Sequence, residues 1–462
     1  MEKKKKYGIN MTEGNIFKNI VRFSIPLMAT GILQLLYSAA DMIVVGKFAG
    51  AAALSAVGSN TALVNMIINI FMGMSVGVGV CISRYYGAKN QDGIDKTVHT
   101  AIAIAIIGGV FLAILAFFIV EPLLTMMSTP TEVLPLAVLY LKILFLGMPF
   151  NLLYNFGASM LRAVGDTKRP LKILSFAGLF NVSLNLILVI IFDMSVAGVA
   201  IATITAQGIS AFLVLRVLAK GDGVLKLEIK KLKIYKPQLL KILRIGVPAG
   251  IQASLFSISN VVVQSSVNSF NSTVITAGNA ASQSLEGFMY TVTNSVTQGA
   301  MTSASQNMGA EDYSRVKRGA GASVVCSLIV STLMGMLFIT FGEQLVSLYS
   351  DGDVNVVAVG LTRLKYMATF YFACALMDVL VGSLKGMGYY IFPTIVSFCG
   401  VCLFRIVWIS LVFSQYPTID TIYAIYPISW SLTSVLQLIM LAVAIKKLPK
   451  KSKPAGEMLA EI

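Results

Sequence analysis

The sequence predicts an all-α polytopic membrane protein, with twelve transmembrane helices in two pseudo-symmetric six-helix bundles. Three observations carry that expectation. The 462 residues are 56% hydrophobic and only 12% charged, and the mean hydropathy is +0.80, a composition of membrane chains rather than soluble domains. Apolar runs long enough to cross about 30 Å of hydrocarbon recur six times in each half. The two halves also repeat one another. Pairing each residue with the one 222 positions on sets Arg22 on Arg244, Pro26 on Pro248, Gly77 on Gly299 and Ser83 on Ser305. It likewise sets Gly87-Ala88 on Gly309-Ala310 and Glu121 on Glu343. At an offset of 223, Lys142 meets Lys365, Leu161–Gly165 meets Leu384–Gly388, and Pro170 meets Pro393. Charged residues, Gly and Pro carry this register, so hydrophobic bias does not explain it. Internal repeats of this kind characterise transporters whose halves rock around a shared site.

The runs follow one another with loops of alternating charge. The first, near Phe17–Phe48, comes after Lys3–Lys6, and the second, Leu54–Ile82, leads into Arg84, Lys89 and Lys96. Ile94–Val120 and Leu134–Phe156 follow, and Arg162, Lys168 and Arg169 precede Pro170–Phe192 and Val196–Leu218. A basic stretch from Lys220 to Lys241 leads into Leu239–Val267 and Thr273–Ser303. Arg315, Lys317 and Arg318 introduce Val316–Phe341 and Val356–Leu380. Ile391–Phe413 and Ile419–Ile445 complete the set before Lys446 to Lys453. The opposite loops hold Asp193, Glu343, Asp351, Asp353 and Asp420, with Lys47 as the main exception. The positive-inside rule then places both termini and the central linker in the cytoplasm. The expected organisation is a lobe over 1–219, a basic linker over 220–238, a second lobe over 239–446 and a cytoplasmic tail over 447–462. No removable signal peptide is expected, because Lys3–Lys6 lack an adjacent apolar stretch with a small-residue cleavage site. The net charge of +15 is thus a topology signal, and the linker lysines suit solvent and lipid headgroups better than nucleic acid.

Several kinds of chemistry are missing. No GxxxxGK[ST] phosphate loop occurs, so no ATP-hydrolysing motor is expected. His99 is the only histidine, which removes Ser/His/Asp and Cys/His catalytic sets; a structural or solvated role is expected for it. Cys399 and Cys402 have redox-pair spacing but neither a second pair nor a soluble context, and Cys81, Cys326 and Cys374 stand singly. The chain is expected not to be an enzyme and to hold no cofactor beyond a coupling ion.

Polar residues at membrane depth point to binding. Asp41 lies fifteen residues past Pro26, about 22 Å along the helix. A charge there costs about 2.5–3.5 kcal/mol on insertion scales and usually faces a cavity. Gln34, Tyr37 and Asp41 share one face by i, i+3, i+7 spacing. Asn185 lies fifteen residues beyond Pro170, at a matching height, with Asn181 one turn earlier. Thr203 enters from the opposite side, about 10 Å below the outer face. One carboxylate with amide and hydroxyl oxygens suits Na⁺ or a proton; ordinary interhelical hydrogen bonding is the competing account. In the second half, Gln252, Asn260, Gln264 and Asn268 form a stripe on the seventh helix, Gln283 and Glu286 are near neighbours on the eighth, and Asp378 lies in the tenth. These carboxylates either attract a cationic substrate or pair with Arg363, Lys365 or Arg405. Lys142 and Lys365 are expected to snorkel to an interface.

At these residues the chain resembles the multidrug and toxic compound extrusion (MATE) family. The likeness rests on Ser24-Ile25-Pro26, Asp41–Gly46, Leu161–Lys168 and the paired Gly-Ala ends at Gly87 and Gly309, and it spans nearly the whole chain. The resemblance implies two lobes around a central cavity and export of cationic or amphipathic organic compounds in exchange for Na⁺ or H⁺. It implies a cation site in the first lobe at Asp41, Asn181 and Thr203, with Asn185 standing where a second carboxylate is expected. Other members of that family carry an acidic residue early in the seventh helix; this chain departs from them there, reading Gln252 to Asn260 without one. The expected machine is a monomeric antiporter of the cytoplasmic membrane, bending at Pro26 and working by alternating access. Its partners would be organic cations or amphipathic drugs, the coupling cation and membrane lipid. The alternatives are a flippase for a lipid-linked saccharide precursor, with fourteen helices and a strongly basic cavity, and a membrane channel or scaffold.

Overall fold

The computed structural model describes residues 8–58, 61–127, 129–220, 223–349 and 353–449, without the side chains of 51 and 61–67. Lys3–Lys6, Gly221, Asp351 and the tail from Lys450 onward lie outside the described residues. All regular elements described are helical. In the first half these are α1 (Ile16–Phe48), α2 (Gly50–Gly58), α3 (Thr61–Gly87), α4 (Gln91–Met126), α5 (Leu134–Leu146), α6 (Met148–Ala163), α7 (Lys168–Leu186) and α8 (Ser195–Lys220). In the second half they are α9 (Lys236–Asn268), α10 (Thr273–Gly309), α11 (Tyr313–Thr340), α12 (Gly342–Ser347), α13 (Val354–Met387), α14 (Ile391–Ser397), α15 (Phe404–Trp408) and α16 (Ile419–Lys446).

These elements make the twelve expected spans. Ten are single stretches long and apolar enough to cross a membrane, and α5 with α6 makes an eleventh, bent by 48°. The bend falls at Gly147, with Pro149 at the start of α6, where a proline is tolerated but a straight continuation is not. The twelfth, α10, is 37 residues long and carries Ser, Thr, Asn and Gln along much of its length. Three π-helical turns interrupt the regular hydrogen bonding, at Ile187–Ile191, Phe398–Leu403 and Ile409–Phe413. Such turns often mark functional positions, and the first begins two residues after Asn185.

The chain divides into two compact units. Unit 1 comprises Ala29–Gly250 and the segment ending at Ile9; unit 2 comprises Asn10–Met28 and everything from Ile251. The crossings occur inside α1 and α9, within three residues of the repeat-related Pro26 and Pro248. In unit 1, Gly73 and Gly77 of α3 meet Gly246 and Gly250 of α9. A Cβ on Gly73 would stand 2.2 Å from Gly250 N, and one on Gly246 2.5 Å from Met74 Cα. This is backbone-to-backbone packing through two small-xxx-small stripes, the membrane substitute for a hydrophobic driving force. Unit 2 uses the repeat-related surfaces: Gly299 of α10 lies against Ser24 and Phe23, and Ser24 Oγ donates to Ser295 O at 3.2 Å. The core of unit 2 surrounds α13 and includes Met289, Leu364, Met367, Tyr371, Tyr423 and Trp430.

Connections near the basic segments are held by specific bonds. Met11 is buried; its N–H donates to Gln306 Oε1 at 3.0 Å, and its carbonyl accepts from Asn307 at 3.2 Å and Arg315 Nε at 2.9 Å. The linker, expected to be solvated, is pinned instead. Leu225 and Leu227 are buried, Gln91 donates to Val224 O at 2.7 Å, and Tyr235 N–H donates to Thr100 Oγ1 at 3.1 Å. His99 has the structural role expected of it: Nδ1 bonds Asp95 O at 2.6 Å and Nε2 accepts from Glu228 N–H at 3.1 Å. Apolar side chains alternating with lysines explain the docking, since the former bury while the latter stay wet.

Candidate functional site

Asp41 is positioned by α1, whose C-terminal half lies against α7 in unit 1. Tyr37 fixes that contact one turn earlier. Its hydroxyl donates to Ser175 O at 3.3 Å, and its ring presses on Gly178, where a Cβ would come within 1.9 Å of a ring carbon. Only glycine leaves room for the ring at this distance.

The carboxylate of Asp41 is half-buried and forms no ion pair among the described residues. Its partners are amides. Asn185 Nδ2 donates to Asp41 Oδ1 at 2.7 Å. With the Asn181 amide turned to satisfy both its neighbours, its nitrogen donates to Asp41 Oδ1 at 3.2 Å and its oxygen accepts from Thr203 N–H at 3.3 Å. The four residues expected from the sequence to form a cation site therefore converge on one place, from α1, α7 and α8. Asn181 and Asn185 are 5% and 0% exposed, which keeps water from supplying these contacts. The Oδ1 of Asn185 is buried without a hydrogen-bond partner. An unpartnered carbonyl beside a carboxylate without an ion pair offers hard oxygens and a single negative charge, chemistry that suits a monovalent cation. Metal sites built from three or more His, Cys, Asp or Glu are absent among the described residues.

Two residues that the sequence reading passed over belong to this neighbourhood. Tyr140 on α5 is close enough to feel the Asp41 charge. Gln207 lies one turn after Thr203 on α8, and its buried Oε1 also lacks a partner. The i, i+4 spacing from Thr203 was the signal available for Gln207; Tyr140, in an apolar run, gave none. Gln34 is exposed and is not part of the cluster.

The polar residues of the second half form a different network, in unit 2. Glu286 is ion-paired with Arg363, Nη2 to Oε2 at 2.6 Å. Asn260 accepts from Arg405 Nη1 at 3.1 Å, and Gln252 Oε1 accepts from Lys385 Nζ at 2.9 Å. Gln264 Oε1 accepts from Asn279 at 2.8 Å and its nitrogen donates to Asn268 at 2.9 Å. Asp378 lies on α13 and forms no ion pair among the described residues. Gln283 is exposed on α10 and joins none of these bonds. Lys142 lies over the Phe117 ring at 4.8 Å and 3.8 Å from Glu121, whereas Lys365 is exposed. Of the two choices open for Glu286, pairing with arginine is the one found.

Comparison with known proteins places this geometry in context. The MatE family model matches twice, over residues 26–187 and 248–411, one match in each sequence half. The curated "Probable multidrug resistance protein YpnP" of Bacillus subtilis (strain 168) is 28% identical over 379 residues, covering 82% of this chain and 84% of its own. "Probable multidrug resistance protein YoeA" of the same strain is 27% identical, covering 91% and 92%. A solved structure described as the outward-facing conformation of a multidrug resistance MATE family transporter superposes with a TM-score of 0.90 at 20% identity. It covers 96% of this chain and 99% of that one.

Proposed function

This chain belongs to the MatE family of multidrug efflux transporters, and we propose that it is a secondary antiporter driven by cation binding at Asp41. The observation that carries the proposal is the half-buried carboxylate whose hydrogen bonds, among the described residues, come from neutral amides. Its charge has been taken out of water without a counter-ion, and an inorganic cation or a proton would remove the penalty. Na⁺ would lie among the oxygens of Asp41, Asn181, Asn185 and Thr203. A proton would reside on Asp41 itself, with Asn185 turning its amide to accept. The absence of a second carboxylate at Asn185 favours a single-charge exchange in either case.

Occupancy changes how strongly α1 is held to α7, because Asp41 accepts from both asparagines and Tyr37 anchors the same face. Pro26, whose ring removes one helical hydrogen bond, is where α1 would bend in response. Inward movement of one charge through 100 mV releases about 2.3 kcal/mol, roughly fiftyfold in an export equilibrium. The exported substrates would be organic cations or amphipathic drugs. The protein would lie in the cytoplasmic membrane with both termini and the basic linker on the cytoplasmic side.

The direct test is Asp41→Asn, reconstituted in proteoliposomes. Gradient-driven dye export should fall to background while size-exclusion behaviour and thermal stability stay near wild type. Export that continues undiminished would remove the site.

A further inference from the structure

The export cycle proposed above leaves unused two buried guanidiniums in unit 2. Arg363 on α13 and Arg405 on α15 are 2% and 3% exposed. Both lie over the ring of Tyr426 on α16, with Cζ at 5.6 Å and 4.3 Å from its centroid. Arg363 donates to Glu286 at 2.6 Å and to Asn279 O at 3.0 Å. Among the described residues Arg405 donates to neutral oxygens, Asn260 Oδ1 at 3.1 Å and Ser429 Oγ at 3.4 Å. Glu286 is thus the one carboxylate bonded to either cation among the described residues. Two further donors are buried without partners: Arg363 Nε and the hydroxyl of Tyr423, which is 1% exposed and one turn before Tyr426.

A purely structural network would use these donors, because each buried unsatisfied group costs about 1–3 kcal/mol, and more when charged. The internal repeat sharpens the point. At the 222-residue offset Asp41 corresponds to Val263, and at 223 Asn181, Asn185 and Thr203 correspond to Phe404, Trp408 and Tyr426. Every oxygen donor of the cation site except the Tyr426 phenol is replaced by a hydrocarbon or indole group, and Arg405 follows Phe404 directly. The duplicated position has changed from a cation-binding to an anion-binding composition. The Tyr426 and Trp430 rings, 5.7 Å apart, add an aromatic wall beside the guanidiniums, and the exposed Asn260 is the neutral partner that a stronger acceptor would displace from Arg405.

We propose that Arg405 and Arg363, with Tyr423 and Tyr426, form a subsite for the carboxylate of an amphipathic organic substrate. It rests on the multidrug-export reading and narrows it: compounds that carry both a carboxylate and an aromatic body are recognised in unit 2, and Glu286 is an internal competitor for Arg363. Planar carboxylate binding by arginine, beside aromatic faces, is the chemistry that these residues offer.

The test uses two dyes differing by one group, rhodamine 110 (free carboxylate) and its methyl ester rhodamine 123, in fluorescence polarisation with the purified full chain in detergent. Arg405→Gln should weaken rhodamine 110 binding by about tenfold or more, a loss typical of one buried charge-assisted contact, and move rhodamine 123 by less than about twofold. Glu286→Gln should tighten rhodamine 110 by about threefold or more, a gain that a misfolded variant cannot produce. Equal shifts of both dyes in both variants, or wild-type protein that binds the ester and excludes the acid, would overturn the subsite alone. Wild-type protein that binds neither dye would overturn the multidrug reading and the subsite with it.

Discussion

At the scale of single residues, the two halves of this chain differ in which buried polar atoms have a matched partner. Asp41 accepts from Asn185 and Asn181 but has no cationic partner among the described residues, whereas Glu286 has Arg363 at 2.6 Å. The first carboxylate has no ion pair among the described residues, and the second is neutralised by one. Tyr37 makes the first arrangement possible by filling the space over Gly178. Gly178→Ala places a methyl group inside the ring, so Tyr37 must turn away and α1 must shift from α7. The expected outcome is a loss of export of about tenfold or more, since a misplacement of the order of 1 Å at a binding constellation is enough for that. Initial export rates in proteoliposomes, at equal reconstituted protein, measure it. Tyr37→Phe, which loses only the bond to Ser175 O, should be far milder.

At the scale of elements, small-residue stripes and charge pairs hold helices that lipid gives no reason to associate. Gly246→Leu drives a side chain into Met74 Cα and should destabilise unit 1 by about 1–3 kcal/mol or more, read as a lowered midpoint in thermal unfolding monitored by fluorescence. Gly321→Ala, with open space around the added carbon, should be neutral or raise the midpoint slightly, by helix propensity alone. The linker makes a prediction in pH. Hydrogen bonds from Lys231 and then Lys226 hold the Glu228 carboxyl down at about 2, below the usual glutamate range near 4.5. A carboxylate with a depressed folded-state pKa contributes stability above its unfolded value and loses it as pH falls through the folded one. Amide protection of residues 225–231 should therefore weaken from about pH 4.5 downward and be lost near pH 2, as hydrogen exchange would show. Protection that is flat across this window would rule out the ion pairs at 2.9 Å as the anchor.

At the scale of the whole molecule, the coupling ion is the open quantity. Efflux of one dye under an imposed sodium gradient and under an imposed pH gradient separates the two cases. The oxygen set at Asp41, with the orphaned Asn185 Oδ1 and a single carboxylate, leads us to expect the sodium gradient to drive export and the Asp41→Asn variant to respond to neither. Export under the pH gradient alone would assign the coupling to a proton on Asp41.

The sequence by itself determined the number of spans, the duplication, and the four residues that meet at Asp41. Hydrophobic length and charge alternation are read by lipid and water along the chain, so they are local and legible. The heights of Asp41 and Asn185 were legible too, because a helix rises uniformly from its proline. Tertiary structure alone decided that α1 and α9 each divide between two compact units, that Glu286 is spent on Arg363, and that Tyr140 lies near Asp41. These outcomes depend on rotation of each helix about its axis and on which side chain arrives first at a shared partner, and spacing within one helix contains no information about its neighbour's rotation. The linker shows the same limit at small scale. Its lysines announced a wet connector, but burial of Leu225 and Leu227 required a surface on α4 and α8 that only folding assembles.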